Sequence, residues 1–323
     1  MIRLAGQKSS ARMKQDGNKK LKEFRRQLPL QLMVWPGMLF LIIFCYMPML
    51  GNVIAFTDYS ITDGIFNSPW AGFKYFSQVF SDDDFYLTMR NTICMSSVKF
   101  VFTFIIPIIF AILLNEIPFL KFKKFVQTGS YLPHFLSYVV VATIWMVFLD
   151  PKGLVNSILL DSGIIGAPIE FLAESGLFWW IGTFIDCWKE TGWNAIIYIA
   201  AIAGISPELY EAAITDGAGR IKRIIHITLP SITNTVIVLF ILNIGNLLNG
   251  GPVGSNFDQS YLLGNVFNRE TSYVVQYYIV NIGLNEMRYS FSTAVSCVLS
   301  VISLILVLGA NYGSKRVANR SIF

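Results

Sequence analysis

Asp186, Lys189 and Glu190 lie inside an apolar stretch, 177–205, that is long enough to cross a bilayer. Ionisable side chains at such depth are costly to hold, so they mark passages or relays, or they neutralise one another against neighbouring helices. On a helix Asp186 reaches Lys189 at i+3 and Glu190 at i+4, which puts the three on one face or on adjacent faces. Two readings follow from the residues alone: the wall of a polar cavity, or a self-neutralising knot. Trp188, Trp193, Asn194 and Tyr198 stand nearby. Together they make a stacking and hydrogen-bonding set, although each aromatic taken singly suits packing or an interfacial belt. The stretch 229–249 carries Asn243, Asn246 and Asn249 at every third position, either lining a cavity or bridging helices. Lys99, in the stretch 91–115, has no acid near it in sequence. Left unpaired, it would favour an anionic substrate or snorkel outward.

Other chemistry is poorly supplied. The four cysteines (Cys45, Cys94, Cys187 and Cys297) lie singly in apolar runs, as small buried hydrophobes do. His134 and His226 are the only histidines, and neither has acids or thiols at ligand spacing, so no metal centre is expected. There is no GxxxxGKS/T loop and no GxSxG elbow, and therefore no sign of nucleotide hydrolysis or acyl transfer in this chain. No enzymatic activity and no nucleic-acid partner are expected.

The elements that must hold these side chains follow from composition. Of 323 residues, 54% are hydrophobic and 14% charged, and the mean hydropathy is +0.55; a soluble chain carries about a quarter charged residues. The apolar residues fall in six runs able to span about 30 Å of hydrocarbon: 30–56, 91–115, 131–149, 177–205, 229–249 and 290–312. The expected fold class is an all-α integral membrane protein with six transmembrane helices. Residues 1–29 are strongly basic. The run after them exceeds the apolar core of a signal peptide and ends without a small-x-small site, so a retained first span is expected. Basic residues recur at Lys121, Lys123 and Lys124, at Arg220, Lys222 and Arg223, and at Lys315, Arg316 and Arg320, alternating with acid-biased connections. Every connection then agrees with both termini and the even-numbered loops lying in the cytoplasm. The expected organisation is a basic segment 1–29, a membrane domain 30–313 containing a cytoplasmic loop 206–228, and a tail 314–323. In this orientation 177–205 and 229–249 run in opposite senses. The Asp186 group and the asparagines then lie at comparable depth, and a shared cavity is expected.

One polar module interrupts the apolar pattern: EAAITDGAGRIKRIIHITLP, residues 211–230. Ser206 suits an N-cap, Pro207 a first turn, and Glu208 the positive end of a helix dipole. A short helix is predicted from Pro207 to about Asp216, with Gly217 and Gly219 turning the backbone after it. Ile221, Ile224 and Ile225 then face one side and Arg220, Lys222 and Arg223 the other, and Pro230 is placed to begin the next span. Physics alone reads this as a juxtamembrane ramp whose basic face touches anionic lipid. That reading leaves the spacing of Glu211, Ala212, Ala213 and Gly217 unexplained.

Glu211-Ala212-Ala213, three residues, Gly217, nine residues, then Ile227-Thr228-Leu229-Pro230 resembles the EAA signature of ABC-importer permeases, EAA-x3-G-x9-I-x-LP. Asp216-Gly217-Ala218 resembles the DGA variant usual among carbohydrate permeases. With YMPMLGNVIAFTDY, LLNEI, YLPHFLSYVVV, LYEAAITDGAGR and FDQSYLL, the chain from about Pro29 onward is similar to the oligosaccharide/polysaccharide branch of the maltose-permease-like family.

The resemblance implies the ABC type I importer permease fold in the bacterial cytoplasmic membrane, working by alternating access. It implies that 207–216 is a coupling helix docking on a cytoplasmic ATPase. Glu211 would make the polar contact, Ala212 and Ala213 would let the helix approach closely, and Asp216-Gly217 would form the turn. Ile224, Ile227, Leu229 and Pro230 complete the coupling set; Ile224 stands where the family often has an aromatic, which keeps an apolar contact of different shape. The implied partners are a second permease subunit (a homologous, different chain), two ABC ATPase subunits, an extracytoplasmic solute-binding protein, membrane lipid and an oligosaccharide. ATP-Mg belongs to the ATPase subunits, and this chain is expected to bind no cofactor. Trp188, Trp193, Asn194 and Tyr198 would then be a sugar-stacking and hydrogen-bonding set. Fragments of acidic polysaccharides (alginate, pectin or rhamnogalacturonan) fit the branch, and Lys99 with Lys189 points the same way. The external loop 250–289 is unusually long and could meet the solute-binding protein; 251–256 looks like an insertion relative to the family pattern. A proton- or ion-coupled carrier using Asp186, Lys189 and Glu190 as a relay would leave the EAA spacing unexplained.

Overall fold

The structure, a computed structural model, describes residues 27–318. The expected basic segment therefore lies outside the described residues up to position 26, as do residues 319–323 of the expected tail. Among the described residues the extended pairing is one isolated bridge, Thr57 with Trp70, and helices make the fold. They are α1 Gln27–Phe56, α2 Asp83–Asn115, α3 Leu120–Tyr131, α4 Tyr138–Leu149, α5 Leu154–Asp161, α6 Phe178–Ala203, α7 Pro207–Thr215, α8 Arg220–Gly245, α9 Asn256–Leu263, α10 Val275–Val280 and α11 Tyr289–Ala318.

Five of the described lengths are long and apolar enough to cross a membrane: Gln27–Phe56, Asp83–Asn115, Tyr138–Asp161, Arg220–Gly245 and Tyr289–Gly313. A sixth, Ser175–Ala203, passes together with α7, which leaves it at 69°. Six spans agree with the apolar pattern, but three boundaries move. α2 starts earlier than 91 because Asp82 caps it, accepting the Phe85 amide at 3.0 Å, and Asp83 and Asp84 sit at the positive end of the dipole. The third span does not begin at 131. Residues there finish α3 and make a 3-10 turn, Leu132–Phe135, containing Pro133. Ser137, accepting from the Val140 amide, then starts α4. The fifth span begins at Arg220 and not at Leu229. Pro230 sits inside that helix, just after a wide π turn, Ile224–Thr228. Proline lacks an N–H and its ring crowds the carbonyl four residues back, here that of His226, and a π turn absorbs such a misfit without ending the helix.

α2 and α6 pack along their lengths and form the spine. One apolar cluster joins Ala111 and Ile112 of α2 to Ala195, Tyr198 and Ile202 of α6 and Ile232 of α8. A second joins Met95, Val141, Ala142, Phe178, Ile185, Leu263 and Val274. Gly192 lets α3 against α6: a Cβ there would lie 2.3 Å from the Ser130 carbonyl oxygen, the close approach for which membrane helices use small residues. By contrast α1 is only 6% buried along its apolar length.

The segment 250–289 does not form a free loop. It folds into α9, a short turn of helix at Arg269–Ser272, α10 and a π turn at Asn281–Asn285, and Ser255, Asn256, Gln259, Ser260, Asn268 and Ser272 are all buried. Asn91 on α2 donates to the Glu270 and Tyr273 carbonyls (2.8 and 3.0 Å), and Trp179 on α6 donates to the Thr271 carbonyl (2.9 Å). These bonds stitch the segment to the spine.

Candidate functional site

α7 leaves α6 through residues 204–206. Ser206 occupies the N-cap position, but its side chain makes no capping bond, so that part of the expected start is absent. The far end explains the motif spacing. The Ala218 amide donates to the Ala213 carbonyl (2.8 Å) and the Gly217 amide to the Ile214 carbonyl (3.0 Å), with Gly217 at φ +76°. This is a Schellman closure, which needs a left-handed residue four positions after the carbonyl that accepts the longer bond. Ala213-x3-Gly217 supplies both. Glu211 and Ala212 are exposed, as are the side chains of Leu209 and Ile214 (51% and 56%), so the helix presents an acid, a small residue and two apolar side chains to whatever lies below it. The Tyr210 hydroxyl meets Thr228 Oγ1 at 2.9 Å.

Within the spine, Asp186 is fully buried and so is Lys99, with Lys99 Nζ 3.1 Å from Asp186 Oδ2. The Ser255 hydroxyl donates to Oδ2 (2.6 Å) and accepts from Lys99 (2.8 Å). Tyr138 Oη and Gln259 Nε2 each donate to Oδ1 at 2.6 Å. One carboxylate thus joins α2, α4, α6 and the segment leading through α9, and its partners Lys99, Ser255 and Gln259 are buried while Tyr138 is half-buried. A buried charge is tolerable only with such pairing.

One turn further along α6 a second cluster forms. Lys189 Nζ contacts Glu190 Oε1 (2.7 Å) and donates to the His134 carbonyl (2.8 Å). Glu190 Oε2 lies 2.6 Å from His134 Nδ1, and the His134 ring stacks on Trp193 with centroids 4.0 Å apart and planes 3° from parallel. Tyr138 connects the two clusters: its hydroxyl serves Asp186 and its ring lies 5.2 Å from Lys189 Nζ.

Where α8 ends, Asn246, Asn249, Phe257 and Gln276 surround a cavity of about 290 Å³ floored by residues 251–254. Gln276 Nε2 donates to the Leu248 carbonyl and to Asn249 Oδ1 (3.1 Å), while Gln276 Oε1 is buried and has no protein partner. Amides beside an aromatic ring can hydrogen-bond hydroxyls and cover an apolar ring face, and the volume is at the small end of ligand pockets, about 300–1,000 Å³.

Comparison with known proteins identifies this arrangement. The family described as "Binding-protein-dependent transport system inner membrane component" matches residues 104–319, well over half of the chain. The chain belongs to this family. The permease is 41% identical to Protein LplB of Bacillus subtilis (strain 168) over 93% of its own length and 92% of that protein. It is 40% identical to the polygalacturonan/rhamnogalacturonan transport system permease protein YteP of the same strain, over 92% and 91%. It also superposes, with a TM-score of 0.83 and 35% identity, on a chain of the crystal structure of a bacterial alginate ABC transporter in complex with alginate pentasaccharide-bound periplasmic protein, covering 93% of this chain and 99% of that one. The all-helical type I importer fold and the membrane location expected from the sequence hold, and the family is one of transport components, not enzymes.

Within the permease, two expectations about charge are corrected. Lys99 is not free: its partner Asp186 is remote in sequence and adjacent in space. Asp186 does not bond to Lys189 or Glu190, which pair with each other and with His134. Both lysines being neutralised internally, neither offers a free positive charge to an anionic substrate. Nor do the Asp186 group and the asparagines share a cavity. Asn246 and Asn249 line it, Asn243 is half-buried, and Asp186 is sealed off, with Ser255 beside the cavity floor. Tyr198 packs in the apolar core and Trp193 is committed to His134. Trp188 and Trp193 are 39% and 41% exposed, and Asn194 Nδ2 is buried with no hydrogen-bond partner. Ser255, Gln259, Gln276 and Tyr138 were not singled out by sequence, and His134 was weighed only as a metal ligand. The one usable signal was that a buried Lys99 and Asp186 each required a polar partner from somewhere.

Proposed function

We propose that this permease is one membrane half of an ATP-driven importer for oligosaccharides cut from acidic polysaccharides, with both termini and α7 on the cytoplasmic side. The observation that carries the coupling role is the exposure of α7, with Glu211, Leu209 and Ile214 all in solvent reach and the backbone closed by Ala213 and Gly217. Such a short, exposed helix suits a cleft on an ATPase subunit. Ala212 and Ala213 allow close approach, and Asp216, Ile224, Ile227, Leu229 and Pro230 carry the chain from that contact into α8. Two ATPase subunits binding ATP-Mg, a second, homologous permease chain and a solute-binding protein complete the transporter. This chain itself holds no cofactor.

The acidic oligosaccharide is inferred from the relatives, one named for polygalacturonan and rhamnogalacturonan and one solved with alginate pentasaccharide. Lys99 and Lys189 do not support it, being paired. Asn246, Asn249, Phe257 and Gln276 are the groups best suited to hydroxyls and a ring face, so in this reading the present chain grips the neutral part of the substrate. The decisive experiment is uptake into proteoliposomes holding the complete transporter and its binding protein. Labelled oligogalacturonate and alginate pentasaccharide are compared with a neutral maltooligosaccharide. Import of an acidic probe, dependent on ATP and lost with Glu211→Lys although the protein still inserts, is expected. Preference for the neutral probe would refute the substrate class, and full import by Glu211→Lys would refute the coupling role.

A further inference from the structure

α6 and α8 flank the coupling helix, and the structure holds them differently. α6 is bolted in place: Asp186 accepts bonds from three other parts of the fold, and Lys189 and Glu190 bind the His134 region. α8 is a smooth apolar rod. From Leu229 to Gly245 its buried residues are Ile232 and Ile241, and the side-chain hydrogen bond described there, Thr233 to the Leu229 carbonyl, stays within the helix. Packed helices without polar cross-bonds can slide past one another, whereas a bonded one must first break its bonds.

α7 touches the other elements little and is bounded by two turns, 204–206 and Gly217–Gly219. Among the described residues its side-chain link to another element is the hydrogen bond between Tyr210 Oη and Thr228 Oγ1. Thr228 is 1% exposed, so water does not readily replace a lost partner. It closes the π turn, and beyond it α8 is unbroken to Gly245, where Asn246 opens the cavity. At 1.5 Å per residue the rod from Thr228 to Asn246 is about 27 Å long.

We propose that Tyr210 and Thr228 are positioning residues: their hydrogen bond is the strut by which displacement of α7 moves α8, and through it Asn246 on the cavity wall, while α6 stays fixed. The proposal rests on the coupling role of α7 given above. Neither residue is among those that would touch the ATPase or the substrate.

The test uses the complete transporter in proteoliposomes, with oligogalacturonate or alginate pentasaccharide as probe, whichever the wild type imports, and reads oligosaccharide imported per ATP hydrolysed. Tyr210→Phe and Thr228→Val each lower that ratio about fivefold, the factor one neutral hydrogen bond supports. The double variant is no worse than either single one, because both remove the same bond, and Thr228→Ser, which keeps the hydroxyl, retains the wild-type ratio. A wild-type ratio in Tyr210→Phe and Thr228→Val, with or without a lowered thermal midpoint, overturns the strut if Glu211→Lys still abolishes import. If Glu211→Lys also imports normally, the coupling reading falls with it. Should Tyr210→Phe fail to assemble, the contrast between Thr228→Val and Thr228→Ser decides alone.

Discussion

Replacing Lys99 by Met keeps the length of the side chain and removes one charge of a pair from which water is excluded on both sides. Breaking a buried ion pair from one side costs about 3–5 kcal/mol. Asp186 would retain Ser255, Tyr138 and Gln259 as neutral donors, so Lys99→Met belongs near the lower figure, about 3 kcal/mol. Asp186→Asn is worse. It strands a buried ammonium whose remaining described partner is the Ser255 hydroxyl, and the upper figure, about 5 kcal/mol, applies. Removing both charges leaves a neutral cluster, and the double variant Lys99→Met/Asp186→Asn should recover most of the loss. With roughly 2 °C of thermal midpoint per kcal/mol for a chain of this size, the expected falls are about 6 °C, about 10 °C and, for the double variant, about 2–4 °C. The assay is a thermal series on detergent-solubilised protein, followed by the fraction that elutes as a monodisperse peak. A midpoint for Lys99→Met within a degree of wild type, or a double variant as unstable as the sum of the singles, would refute the pairing.

Gly217→Ala places a side chain at φ +76° with a strain of roughly 1–2 kcal/mol, so import is expected to fall while membrane insertion, read by fractionation, stays normal. Gly192→Val drives a side chain into the Ser130 carbonyl and should abolish the monodisperse peak. Phe257→Ala and Asn246→Ala should raise the KM for import with little change in thermal midpoint; an unchanged KM in both would remove the cavity from the substrate path. Near the end of α1, hydrogen bonds from Lys74 and Tyr75 hold the Asp58 carboxyl below its ordinary 3.8. A depressed carboxylate stabilises the fold above its ordinary value and loses that contribution as pH falls through the folded one. Asp58→Asn should therefore lower the thermal midpoint at pH 7, modestly because the pair is exposed, and the gap to wild type should close below about pH 3.8.

What was legible in the sequence was local. A-x3-G fixed the turn after α7 because a Schellman closure depends on residues a few positions apart, and the apolar runs gave the spans because hydrophobic length is additive. Boundaries failed where a few polar residues outweighed hydropathy: the Asp82–Asp84 start of α2, the Pro133–Ser137 break before α4, and Pro230, which reads as a helix start but is absorbed by a π turn. Partners failed where they are remote. Ser255 bonds to Lys99 across 156 positions and Gln259 to Asp186 across 73, distances over which no period or spacing carries information. The segment 250–289 reads as a loop because its polar residues are many; Ser255, Gln259, Ser260 and Asn268 are buried there, each finding a backbone carbonyl or a charge.

The Asp186 cluster also has a timetable. Lys99 is synthesised first, Asp186 later, and Ser255 another 69 residues after Asp186. At about 5–20 residues per second, the 156 positions separating Lys99 from Ser255 take roughly 8–30 s to emerge. Until Asp186 emerges, α2 must enter the bilayer with an ammonium that has no acid to meet, against an insertion penalty of about 2.5–3.5 kcal/mol for a lysine at a helix centre. The long apolar remainder of α2 has to outweigh that penalty unaided. The cluster is complete only when Ser255 and Gln259 have followed, so the second span carries a charge short of its full set of partners until α9 arrives.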